Sequence, residues 1–159
     1  MNKSAKTNAI RLVESAGVSH RVYEYDVSDG RIDARAIAEK IGRSPDEVLK
    51  TLVAEAPGHR YFVFLVPAAS ELDLKKAARA ANCKSIEMIP QKQLLPLTGY
   101  VHGGCSPLGM KKAFPTLIDE SAILYESICV SGGRIGLNLA IGPEDLAGLT
   151  GAEFADIAK

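Results

Sequence analysis

Hydrophobic positions over residues 7–16 recur at helical spacing, with Ile10 and Val13 on one stripe and Gly17 as a stop, and predict a first helix. Residues 20–26 alternate instead. Val22 with Tyr23 and Tyr25 suits a half-buried strand that carries both tyrosines on one face. Asp33 is placed to cap a helix bearing Ala36, Ile37 and Ile41 and closed by Gly42. Ser44-Pro45-Asp46-Glu47 then reads as a capping box with proline at the first helical position, opening a second, short helix that ends near Lys50. Strands over 51–55 and 61–66, joined at Pro57-Gly58, make a hairpin, so Lys50 is expected at a helix-to-strand junction.

Asp73 can cap a helix over 74–81, whose Lys75, Lys76 and Arg79 lie opposite Leu74, Ala77, Ala78 and Ala81. That basic face suits either solvent or an anionic partner such as RNA phosphates. Beyond Ser85 the pattern breaks into short strands over 100–101, 116–118, 123–130 and 135–141, punctuated by Gly and Pro, with closing helices over 143–149 and 152–158. Strands and helices mix without a regular βαβ repeat. The expected fold class is α+β: a single domain over 1–159 with a curved, mostly antiparallel, barrel-like mixed sheet flanked by helices.

Composition narrows the function classes. At 159 residues, 47% hydrophobic and 24% charged, the chain can bury one core and is unlike a disordered or fibrous polymer. Nineteen Lys plus Arg balance nineteen Asp plus Glu, which removes the strong field of a general DNA-coating protein. The longest apolar run, residues 61–69, falls short of the roughly 18 needed for a membrane span. The first residues lack the apolar centre of a signal peptide, so a cytoplasmic location without membrane or DNA partners is expected. Cys83, Cys105 and Cys129 are widely spaced, as are His20, His59 and His102, and neither a disulfide framework nor a metal site is expected.

Three segments combine flexible backbone with polar groups: Leu49-Lys50-Thr51, the run from Gly103 through Gly109, and Ser131-Gly132-Gly133-Arg134-Ile135-Gly136. Glycines let main-chain N–H groups approach a ligand, and consecutive amides can cradle an anion or an oxyanion; tight turns alone also account for them. Lys50 stands out because Val48, Leu49, Leu52 and Val53 surround it with apolar positions. A partly shielded ammonium there can hold a carbonyl or phosphate oxygen or act as a base, or it can snorkel at a sheet rim. Cys105 with nearby His102 has no evident third group to orient a nucleophilic pair, and reads as a small packed hydrophobe.

Taken in order, Pro45-Asp46-Glu47-Val48-Leu49-Lys50-Thr51-Leu52, Leu72-Asp73-Leu74-Lys75-Lys76, Thr98-Gly99-Tyr100-Val101-His102-Gly103-Gly104-Cys105-Ser106-Pro107-Leu108-Gly109, Pro115-Thr116-Leu117-Ile118-Asp119 and Val130-Ser131-Gly132-Gly133-Arg134-Ile135-Gly136-Leu137 resemble the YbaK/EbsC family of aminoacyl-tRNA deacylases. These are free-standing relatives of the editing insertion of bacterial prolyl-tRNA synthetase, and the resemblance spans nearly the whole chain. It implies hydrolysis of the ester of a misacylated tRNA, typically Cys-tRNA(Pro), without a cofactor and with the substrate's own thiol attacking. It implies the acceptor end of proline tRNA as partner, with prolyl-tRNA synthetase delivering the tRNA body. Lys50 matches the family's essential lysine, and by the same matching Tyr25, Thr51, Gly103, Gly104, Ser106, Ser131 and Gly132 would line the substrate pocket. One position departs: Asn138 stands where well-known relatives carry Asp, so it can hydrogen-bond a ribose or an amine but brings no charge. A module that captures aminoacyl-tRNA ends or nucleotides without catalysis, or that prefers alanyl or seryl esters, is the alternative.

Overall fold

The computed structural model describes residues 6–159. Helix α1 (Asn8–Ala16) begins where the Thr7 hydroxyl accepts the Ile10 N–H at 3.1 Å and ends at Gly17, in the left-handed region at φ 70°. It buries Ala9, Ile10 and Val13, the stripe its spacing predicts. Strand β1 (His20–Glu24) is followed by α2 (Ala34–Ile41), capped by Asp33 through the Ala36 N–H and closed by Gly42. The hairpin of β2 (Leu49–Ala56) and β3 (Arg60–Pro67) leads to α3 (Leu74–Ala80), capped by Asp73. Next come β4 (Glu87–Met88), the short α4 (Leu94–Thr98), β5 (Thr116–Asp119), β6 (Ile128–Ser131), β7 (Leu137–Ile141), α5 (Pro143–Thr150) and β8 (Glu153–Ala155).

Several expectations are corrected. Residues 45–47 form a turn, not a helix: Ser44 behaves as the cap, its Oγ accepting the Asp46 N–H, but the Glu47 C=O is taken by the Cys129 N–H at 2.8 Å and the Val48 C=O by the Ala68 N–H at 2.7 Å. Tertiary partners claim those carbonyls before a second helical turn can form. Lys50 is therefore the second residue of a strand. Residues 100–101 are not a strand, and residues 120–124 form a 3-10 turn ahead of β6. The closing segment is β8 and not a helix, because it lies parallel to β5 and is held there by buried Asp119, whose Oδ1 accepts the N–H of Ile157 at 3.2 Å and of Ala158 at 3.1 Å.

Two open sheets result, ordered β1-β7-β6 and β4-β2-β3-β5-β8. The β3–β5 and β5–β8 pairs are parallel and the other pairs antiparallel, so the sheet is mixed as expected, but among the described residues it does not close into a barrel. Among the described residues a single parallel bridge, Val48 to Cys129, joins the sheets. Arg43, largely buried, reinforces this joint by donating to the Ser127 C=O at 2.9 Å and to Glu47 at 3.1 Å.

Strand β2 lies at the centre of this arrangement. Pairing of Lys50 with Val66 and of Leu52 with Phe64, together with the Ala68-to-Val48 bond, directs the main-chain groups of its even residues toward β3. Those of its odd residues point the other way, where Glu47 meets β6 and the Val53 C=O accepts the Ile89 N–H beside β4. The two neighbours diverge, leaving a fork along Lys50, Thr51 and Leu52. On one face of the sheet, α1 and α5 bury Val13 and Leu146 against Leu49, Val53, Leu65 and Ile118. On the other, Ala77 and Ala78 of α3 pack on Phe62, Phe64 and Val66, and α2 sets Ala38 with Val48, Cys129 and Ala140.

Candidate active site

A cleft of about 230 Å³ opens at the fork. Its walls are Ile32, Asp33, Ala34 and Ile37 at the start of α2, Val48 and residues 49–52 of β2, Leu94 of α4, His102, Gly103 and Cys105, and, from β6 and β7, Ser131 and Asn138. Segments far apart in sequence thus bring Lys50, Thr51, Gly103, Ser131 and Asn138 to one place. Tyr25, Gly104, Ser106 and Gly132, expected on the same wall, are not part of it.

Strand alternation places Lys50 on the face of Val48 and Leu52, under α2, with its side chain 24% exposed. Its Nζ lies 3.4 Å from the exposed Glu71 carboxylate, an ion pair too solvated to hold the ammonium firmly. The cation is free to turn toward a ligand. Asp33 also lines the cleft, but one of its oxygens is committed to the Ala36 N–H at 3.0 Å.

Two polar atoms in the lining are buried without a partner among the described residues: the Thr51 hydroxyl and the Asn138 Oδ1. Asn138 is only 2% exposed. A buried polar group left unbonded costs about 1–3 kcal/mol, so two of them in one cleft mark where a polar ligand fits. The apolar wall of Ile32, Ile37, Leu52 and Leu94 beside them suits a small side chain.

The glycine-rich turns play a different part from the one expected. The Gly104 N–H donates to the Val101 C=O at 3.0 Å, the Gly132 N–H to the Leu137 C=O at 2.9 Å, and the Gly133 N–H to the Ser131 Oγ at 3.1 Å. These amides are spent inside the protein. A side chain at Gly104 would meet the Arg134 and Ile135 backbone at 2.9 Å, so glycine there lets the two turns lie against each other. Only Gly103, at φ 87° with Ile32 pressed on it, reaches the cleft. Ser106, fully buried, caps its own turn by accepting the Leu108 N–H. Tyr25 is buried outside this lining: its N–H donates to the Gly136 C=O at 3.0 Å and its ring lies 6.0 Å from the Lys40 ammonium.

Cys105 borders the cleft with its thiol protonated. Burial pushes its pKa up to about 11, against a weaker opposing hydrogen bond with Thr98, so almost no thiolate exists near neutrality. The start of α2 and Leu94 are the wall residues that sequence reasoning missed. The apolar face of α2 was visible at Ala36 and Ile37, but nothing in the pattern showed what that face would border.

An aminoacyl-tRNA editing-domain model matches residues 31–149, a stretch that takes in every wall of the cleft, and the chain belongs to that family. The candidate Cys-tRNA(Pro)/Cys-tRNA(Cys) deacylase EbsC of Enterococcus faecalis is 42% identical over 152 residues, covering 96% of this chain and 93% of that protein. A crystal structure of a candidate trans-editing enzyme for prolyl-tRNA synthetase superposes with a TM-score of 0.85 at 27% identity, covering 98% of this chain and 99% of the other. The hypothetical protein APE2540 shares the fold, with a TM-score of 0.87 at 20% identity over 96% of this chain and 99% of the other. The protein is thus an editing hydrolase acting on aminoacyl-tRNA.

Proposed function

We propose that this protein removes cysteine from mischarged proline tRNA, with Lys50 as the electrostatic anchor of the reaction. The observation that carries this reading is the meeting, in one cleft, of a loosely held ammonium, two unpartnered buried polar groups and an apolar wall sized for a small side chain. Lys50 holds an oxygen of the terminal ribose or of the ester, while Asn138 and Thr51 receive the polar end of the amino acid.

Among the described residues the cleft lining holds one carboxylate, that of Asp33, which caps α2, and the Cys105 thiol is protonated. The substrate's thiol supplies the attack: a C–S bond forms at the acyl carbon, the ester C–O bond breaks, and the thiol proton passes to the departing ribose hydroxyl. Water then opens the cyclic thioester. The protein's work is to hold the reactive conformer, for which effective molarities are large. A chain with zero net charge binds the tRNA body weakly, so prolyl-tRNA synthetase is the partner that presents the acceptor end, in the cytoplasm.

Deacylation of Cys-tRNA(Pro), Ala-tRNA(Pro) and Ser-tRNA(Pro) by the purified protein and by Lys50→Ala tests this. The cysteinyl ester should be lost fastest, and Lys50→Ala should slow it by about 10²-fold or more. Equal rates for the two proteins would remove Lys50 from the mechanism. Binding of a non-hydrolysable analogue with no turnover of any ester would establish a capture module instead, a reading that the neutral Asn138 favours.

A further inference from the structure

The strongest main-chain donor candidates of the sequence, the paired-glycine turns, have their amides occupied at Gly104, Gly132 and Gly133. Beside Gly103, a second stretch of backbone borders the cleft. Val48 and the first four residues of β2, Leu49 through Leu52, line the cleft consecutively, so residues of both faces of the strand meet it along its edge. The edge is open because, among the described residues, β6 pairs with it at a single bridge, Val48 to Cys129, and main-chain bonding beside β4 resumes only at Val53, whose C=O accepts the Ile89 N–H. Between them the register turns the main chain of Thr51 away from β3 and into the gap, and among the described residues no strand bridges it there. The alternation of β6 and β7 also turns the Ser131 main chain toward this gap, since the Gly132 N–H is the one that pairs with Leu137. One strand position opposite Lys50 is therefore left unfilled between two sheets.

We infer that the aminoacyl group fills this position as a single residue of added strand, its ester carbonyl accepting the main-chain N–H of Thr51. The inference rests on the deacylase reading and deepens it, naming an α-aminoacyl ester as the ligand of the strand edge. An α-aminoacyl group carries its nitrogen and its carbonyl with the spacing of a peptide residue, so an open strand edge recognises it as it would a neighbouring chain. The same N–H then meets negative charge as it develops on the carbonyl oxygen, and does so without reorganisation because β2 is locked on its other side to β3. Recognition by backbone requires no particular side chain at this point, which leaves selection of the amino acid to the α2 wall and Asn138.

The test replaces Thr51 by its α-hydroxy analogue, which removes the N–H and keeps the side chain, with the same replacement at Val53 as control. Both changes weaken an even-residue carbonyl of the β2–β3 ladder, but only the first alters the cleft. The Thr51 replacement should lower kcat/KM for Cys-tRNA(Pro) by about 10²–10³-fold, with the loss mainly in kcat, and the Val53 replacement by less than about threefold. In the unaltered protein, 3′-cysteinylamino-3′-deoxyadenosine should slow hydrogen exchange of the Thr51 amide by tenfold or more and shift its NMR resonance. Equal losses in the two replacements, full activity without the Thr51 N–H, or analogue binding that leaves the Thr51 amide unmoved would overturn the inference. Protection at Thr51 without turnover would keep the edge and overturn only the deacylase reading. A protein that neither binds the analogue nor deacylates any tRNA would overturn both.

Discussion

Single residues carry most of the chemistry, and their burial decides what each can do. Cys105 and Cys129 both have thiols raised by burial to about 11, with opposition from a Thr98 hydrogen bond in the first and from Arg43 in the second. Cys105→Ala should accordingly keep deacylation within about threefold of the parent, measured on Cys-tRNA(Pro); a larger loss would restore the thiol to the mechanism. The same shifts predict a pH effect on stability. Folded-state thiol pKa values above the ordinary value of 9.0 mean that the unfolded chain releases protons first, so stability falls as pH rises from about 9 toward about 11. Thermal unfolding of Cys129→Ala across that range should show a shallower decline than the parent. Asn138→Asp places a carboxyl at a site 2% exposed to water. Its folded pKa should rise above the usual value near 3.9, so the variant should lose melting temperature between pH 5 and pH 7 relative to the parent. An added α-ammonium analogue should recover part of that loss.

At the scale of elements, capping residues spoke clearly and pairing partners did not. Asp33 and Asp73 cap the helices their positions predict, and Gly17 and Gly42 end two of them, because these signals act within one turn of chain; Thr7, expected inside the first helix, is its cap. Ser44 is an honest cap whose helix never forms, since carbonyls at Glu47 and Val48 are drawn into the joint between sheets. The closing segment misled for a related reason: its apolar spacing suits a helix, but a buried carboxylate 38 residues upstream binds its backbone as a strand. Asp119→Ala removes the acceptor of the Ile157, Ala158 and Ser121 N–H groups. It should destabilise the protein by about 2–4 kcal/mol in denaturant unfolding and expose the last residues to carboxypeptidase. Unchanged stability would show that β8 holds without that clamp.

For the molecule as a whole, charge balance sets how it meets tRNA. With nineteen cations against nineteen anions, few phosphates can be neutralised at once, so tRNA affinity should weaken with salt at a log–log slope shallower than about −3. A steeper slope in a filter-binding titration would reveal a concentrated basic track. The site itself was partly legible. Lys50, Thr51, Gly103, Ser131 and Asn138 were found from chemistry-bearing residue types and family order, and they do converge. Gly104, Gly132, Ser106 and Tyr25 were equally visible, but they support the cleft instead of lining it, a distinction that depends on where each N–H and hydroxyl finds its partner. The sequence alone determined the Asp33 and Asp73 caps, the hairpin and the α+β class, because local spacing and residue chemistry encode them. Only the tertiary structure decided that the sheets part beside Thr51, that the Gly104, Gly132 and Gly133 amides are occupied and that α2 forms a wall, because each depends on where segments meet in space and not on their order along the chain.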